Sequence, residues 1–130
     1  MKLLRHRACA RLALVGAAAL LSAAVPQGTM EAEGPHLGVV KVEVVIDRES
    51  PASASRVIEG SERAWEAPGA KAVVLHINSP GGSPVQSQRI YDAVMRLRES
   101  GDKPIIAVVE DIGASGAYYI AAAADEIVAV

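Results

Sequence analysis

One serine stands out by its surroundings. Ser115 lies in Asp111–Asp125, DIGASGAYYIAAAAD, between Ala114 and Gly116, where the apolar strand Ile105–Val109 gives way to an alanine-rich helix. Backbone N–H groups in a helix's first turn lack intrahelical partners and point past its end. A serine there holds its hydroxyl beside donors that can stabilise an oxyanion, which is what nucleophilic acyl transfer needs. Gly113 and Gly116 permit sharp backbone angles and close approach of a substrate. The competing reading is a plain helix cap.

A second stretch lies upstream: Val73–Ser83, VVLHINSPGGS. Its run Val73–Ile77, broken only by His76, reads as a strand buried in a parallel sheet. The run ends at Asn78-Ser79-Pro80-Gly81-Gly82, whose glycines can turn consecutive N–H groups outward. Strand C-terminal ends gather on one edge of an open α/β sheet, so both loops should meet there. One brings a hydroxyl and the other an amide donor.

INSPGGS (Ile77–Ser83) followed by GASGAYYIAAAADEIVA (Gly113–Ala129) resembles the SppA-type signal peptide peptidases. These are membrane-bound serine proteases with a Ser/Lys dyad and a crotonase-like, Clp-protease-like fold. The resemblance runs from about His36 to Val130. It implies Ser115 as nucleophile, with the amides of Gly82 and Ser115 as oxyanion hole. Gly81, Ser83, Val85 and Gly116 would line the groove for an extended peptide. It also implies cleaved signal peptides as substrates, a homo-oligomer, and neither cofactor nor metal. Three positions depart from the family pattern. Val44 stands where glycine is common in the first strand, and Ala117 where glycine often follows Ser-Gly. The third is the lysine base, which the family carries beyond the position of Val130.

The remaining elements must hold those two loops. Gly38–Ile46 reads as a first strand, with Val40, Val42 and Val44 on one face and Lys41 and Glu43 on the other. Asp47–Pro51 turns, and Ser53–Glu66 reads as a helix with Val57, Ile58, Ala64 and Trp65 inward. Pro68-Gly69 ends it. Strand Ala72–Ile77, helix Gln86–Glu99, strand Ile105–Val109, the Ser115 helix and strand Glu126–Val130 follow. The order β-α-β-α-β-α-β specifies an α/β fold with a parallel sheet and right-handed crossovers. This is the Clp-protease/crotonase-like class, incomplete at the C-terminus.

Met1–Val25 reads as a targeting segment, with Lys2, Arg5, Arg7 and Arg11 before the apolar stretch Leu12–Val25. That stretch is short for a bilayer-crossing helix. Ser22-Ala23-Ala24 fits a cleavage site, whereas the resemblance implies a retained signal anchor; both readings put the catalytic part outside the cytoplasm, at a bacterial inner membrane. Residues 26–35 read as a linker and 36–130 as the N-terminal part of a peptidase domain. The formal charge is −2 over 130 residues, with no basic patch interleaved with aromatics, which excludes a nucleic-acid footprint. A single cysteine, Cys9, excludes a CxxC site.

No residue here is a convincing base for Ser115. His6 and His36 lie in the targeting segment and linker, and His76 lies inside a strand. Lys71 and Lys103 fall at the starts of strands, far from the C-terminal edge, and Lys41 reads as a surface residue. Glu110 and Asp111 flank the nucleophile loop as helix-start charges. Two further classes remain open. One is a crotonase-type acyl-CoA enzyme, against which the export signal speaks. The other is a non-catalytic membrane-tethered module that clamps extended peptides by strand addition.

Overall fold

The structure is a computed structural model that describes residues 34–130. The targeting segment 1–25 and most of the linker 26–35 lie outside the described residues. Seven elements follow in chain order: β1 His36–Glu43, α1 Ala54–Glu66, β2 Ala70–Ser79, α2 Pro84–Ser100, β3 Ile105–Gly113, α3 Gly116–Ala121 and β4 Glu126–Ala129. The strands form one parallel sheet in the order β1-β2-β3-β4. The expected class and element order are found, and β2 and β3 run past their expected ends.

A sheet that always steps the same way, with crossovers of one hand, carries all its helices on one face. Accordingly α1 packs on α2 and α2 on α3. Val40 and Val42 of β1, Leu75 and Ile77 of β2, and Ile105 and Ala107 of β3 are buried with Val57, Ile90, Val94 and Ile120 from the helices. Burial of Leu75, Ile77 or Ile90, each 0% exposed, contributes about 1.5–3 kcal/mol. The opposite face carries Val39, Lys41, Val74, His76, Val108 and Glu110, all half-buried or exposed. The run Val73–Ile77 lies in β2, an interior strand of the parallel sheet as expected, with Val73, Leu75 and Ile77 buried. Among the described residues only one face is covered.

The helix ends are locally encoded. Pro84 starts α2, where its missing N–H costs nothing, and Ser83 Oγ accepts from the Gln86 N–H at 3.4 Å. Gly101, at φ 78°, closes the helix in the left-handed conformation. The start of α1 is capped from a distance instead. Gln86 Oε1 accepts from the Ala54 N–H at 2.9 Å, while the Ser53 side chain makes no capping bond. The end of α3 is fastened to α2 by Arg98, whose Nη1 donates to the carbonyls of Ala123 and Ala124 at 3.0 and 3.1 Å. Asp125 then receives the Ile105 N–H at 2.8 Å.

Tyr118 is 59% exposed, whereas Ile120 and the alanines at 121, 123 and 124 are buried against the sheet and α2. Val44, placed by alternation beside Val40 and Val42, is 53% exposed instead. Strand β1 ends at Glu43, and Val44 takes φ 61°, which breaks the alternation. Its N–H donates to the Asn78 carbonyl at 3.2 Å, and its carbonyl accepts from Ser79 Oγ at 2.5 Å, so the backbone is held in that conformation. A β-branched residue with positive φ is strained, by about 1–2 kcal/mol. Val44→Gly is expected to raise the unfolding free energy by about 1 kcal/mol despite glycine's entropy. A urea midpoint below the parent's at unchanged m-value would refute this.

Candidate active site

The site forms where two strand ends meet. Register pairs Ser79 of β2 with Gly113 of β3, and the Ala114 N–H donates to the Ser79 carbonyl at 3.2 Å. This bond delivers the chain to Ser115, which occupies φ 53°, ψ −123°. Those angles belong to the first corner of a type II′ turn, a place suited to glycine. A serine there is strained, as in the sharp strand-to-helix turns that expose nucleophiles. Ser115 makes no side-chain capping bond to α3, so the cap reading of its hydroxyl fails. The helix itself has only 6 residues. Its contribution is therefore local N–H groups rather than a long helix dipole.

The glycines act differently from what the sequence suggests. Gly113 and Gly116 are not in positive-φ conformations, and the sharp angle falls on Ser115 itself. What Gly116 supplies is room, because a Cβ there would strike Ser87 Oγ. Gly81, at φ 90°, lies against the serine turn. A Cβ on it would come within 2.7 Å of both the Ala114 carbonyl and the Gly116 nitrogen. Gly82, at φ 155°, forms a parallel bridge with Ile46. Ile46 donates to the Gly81 carbonyl at 2.9 Å and accepts from the Ser83 N–H at 2.7 Å. The bridge thus uses the groups on either side of Gly82 and leaves its own N–H out. That nitrogen lies 3.6 Å from where a Gly116 Cβ would stand, on the side of the serine turn.

A cleft of about 240 Å³ opens between these turns. It is lined by Gly82, Pro84, Ser87 and Gln88 and by Ser115, Gly116 and Tyr119. The two motif loops are brought together, as their spacing predicts. Of the other residues implied to line the groove, Ser83 serves as the α2 cap and Val85 is exposed on its first turn. Ser87 and Gln88 enter the cleft by helical geometry one turn beyond Ser83, and Tyr119 one turn beyond Ser115. Only the helical period starting at Pro84 and Gly116 could have pointed to them.

The candidate bases lie elsewhere. His76 faces the open side of the sheet, with Nε2 3.4 Å from Glu110 Oε1 and Nδ1 3.7 Å from Glu43 Oε1. Lys41 Nζ is 3.0 Å from Glu43 on that same face. Glu110 and Asp111 are strand residues of β3, which corrects their reading as helix-start charges. Lys103 Nζ donates to the carbonyls of Trp65 and Ala67 at the end of α1, and Lys71 is the second residue of β2. No histidine, lysine or carboxylate lines the cleft among the described residues. Nor do any three histidine, cysteine or carboxylate side chains among them stand where they could hold a metal ion.

Residues 97–130 match the peptidase family S49. Over 97 residues the chain is 37% identical to Protease 4 of Haemophilus influenzae, a match covering 72% of the chain and 16% of that protein. Over 68 residues, 52% of the chain, it is 48% identical to a Brucella melitensis protein named Na(+)/H(+) antiporter NhaA. That match covers 9% of the Brucella protein, so the name says nothing about the matched segment. The chain spans about a tenth to a sixth of the length of these relatives. Among solved structures, a mutant of a membrane-bound stomatin-specific protease shares the fold at TM-score 0.54 and 20% identity. The likeness covers 75% of this chain and 45% of that one.

Proposed function

From the premise that the chain carries an SppA-type segment of peptidase family S49, we propose that it supplies the nucleophile and oxyanion hole of a serine endopeptidase acting on extended peptides, remnant signal peptides among them. The observation that carries this is the strained, uncapped Ser115 at φ 53°, ψ −123°, facing the side on which the Gly82 N–H is unspent. In the proposed reaction Ser115 Oγ attacks the scissile carbonyl and its proton passes to a base. The carbonyl oxygen becomes an oxyanion held by the N–H groups of Gly82 and Ser115. Collapse expels the amine, which takes the proton, and water then releases the acyl group. Each oxyanion donor is worth about 2.7–4 kcal/mol of barrier.

The base in this reading is a lysine from sequence beyond Val130, in keeping with the absence of one from the cleft lining among the described residues. The same absence favours a second reading, a non-catalytic module that clamps extended peptides at the Gly-Gly loop. Residues 1–25 would hold the protein at the bacterial inner membrane with this part on the extracytoplasmic side, in a homo-oligomer. No described helix is long and apolar enough to cross a membrane. The test is a serine-directed fluorophosphonate on the intact protein that contains this segment, with the adduct mapped by mass spectrometry. Labelling at Ser115 is expected. Labelling at another serine, or none while peptide is still bound, favours the clamp.

A further inference from the structure

One buried serine ties together the end of β1, the Gly-Gly loop and the serine turn. Ser79, the last residue of β2, is 0% exposed. Its hydroxyl donates to the Val44 carbonyl at 2.5 Å and accepts from the Gly81 N–H at 3.1 Å. Its own carbonyl accepts at 3.2 Å from the N–H of Ala114, the residue before Ser115. A hydroxyl has a single proton to give. That proton goes to Val44, so what the Gly81 N–H meets is a lone pair. The series from Gly81 N–H through the Ser79 hydroxyl to the Val44 carbonyl therefore runs in one direction, and bonds in such a series strengthen one another.

We propose that Ser79 is a positioning residue for the oxyanion hole, acting through Gly81. Two successive peptide planes carry the argument. The first bears the Gly81 N–H, which Ser79 Oγ holds. The second bears the Gly81 carbonyl, which accepts from the Ile46 N–H at 2.9 Å, together with the Gly82 N–H. In a trans peptide these two groups point opposite ways, so the Gly82 N–H faces away from Ile46. Glycines at φ 90° and 155° turn easily, and neither plane keeps its direction without a partner. Removing the Ser79 hydroxyl leaves the Gly81 N–H and the Val44 carbonyl unpaired, and a buried unpaired group either costs stability or turns to find a new partner. Such a turn re-aims the Gly82 N–H, and a misplacement of about an ångström is enough to cost much of a catalytic group's effect. The same hydroxyl holds Val44 at φ 61°, so the strain at the end of β1 and the aim of Gly82 share one hydrogen-bonded centre.

The inference rests on the peptidase reading for its kinetic readout but not for its backbone readout. In the intact protein, Ser79→Ala is compared with Ser61→Ala, which removes another buried hydroxyl, one that donates to the Val57 carbonyl within α1. Ser79→Ala is expected to lower kcat for an extended peptide at least tenfold, with KM within about twofold of the parent's. Affinity for a peptide boronate, which forms a tetrahedral adduct on a serine hydroxyl, should fall by a similar factor. Binding of the uncleaved peptide, measured in the Ser115→Ala background, should stay within about twofold. Ser61→Ala should lower the urea midpoint and move none of these. Ser79→Cys, whose thiol is a weak donor and acceptor, should fall between serine and alanine, and it replaces the alanine form should that fail to fold. Hydrogen exchange at the Gly81 amide should speed up at least tenfold in Ser79→Ala and stay unchanged in Ser61→Ala. A parent that neither cleaves peptide nor binds the boronate sinks the nucleophile, and the exchange rate then decides the claim for Ser79 alone. An unmoved Gly81 exchange rate overturns the proposal. So does, in an active parent, an unchanged kcat in Ser79→Ala, an equal loss in Ser61→Ala, or a parallel loss of uncleaved-peptide binding.

Discussion

Replacing Ser115 by alanine or by glycine in the intact protein is expected to abolish peptide hydrolysis, while the two variants differ in stability. Loss of a serine nucleophile costs on the order of a millionfold in kcat in a well-studied protease of another family. A comparable fall is expected here, with peptide binding kept. The stability difference follows from φ 53°, ψ −123° at a residue that bears a Cβ. Such strain costs about 1–3 kcal/mol, which Ser115→Ala retains and Ser115→Gly releases. Glycine's extra chain entropy returns about 0.5–1 kcal/mol of that. Ser115→Gly should therefore unfold at higher temperature than Ser115→Ala. Equal melting temperatures would show that the turn is unstrained, and retained turnover in either variant would remove Ser115 from the chemistry.

The second large effect is on folding. Gly82→Ala is expected to destabilise by about 3 kcal/mol or more. An added Cβ would collide with the carbonyl oxygen of Ile46 and lie 2.8 Å from its nitrogen, and these are backbone atoms that cannot rotate aside. Ile46 is itself 0% exposed and bridged to this loop, so the strain spreads into the core. Gly101→Ala is the control. It has φ 78° but nothing within 4 Å of its Cβ, so it shows the conformational cost alone, about 1 kcal/mol. Similar urea midpoints for the two variants would show that the Ile46 contact yields. Because a side chain at Gly82 disturbs the fold, loss of activity in such a variant does not by itself report on an oxyanion donor.

Much of the architecture is written locally. Alternation marks Val40 and Val42, proline at 84 and glycine at 101 bracket α2, and the regular β-α order dictates a parallel sheet. The meeting of the Gly-Gly loop with Ser115 follows from the same order, because parallel strands end on one edge. Tertiary structure decided the rest. Val44 departs from alternation because its backbone is bonded to Asn78 and Ser79 across the strand end. The cap of α1 comes from Gln86, far along the chain. Which face of the sheet is covered depends on helices packing on one another, and the periodicity of a single strand does not record it. Gly81 and Ser87 crowd the turn around Ser115 from other segments, which no local pattern records. Tyr119 meets Gln88 only once α2 and α3 are side by side, a relation that packing creates.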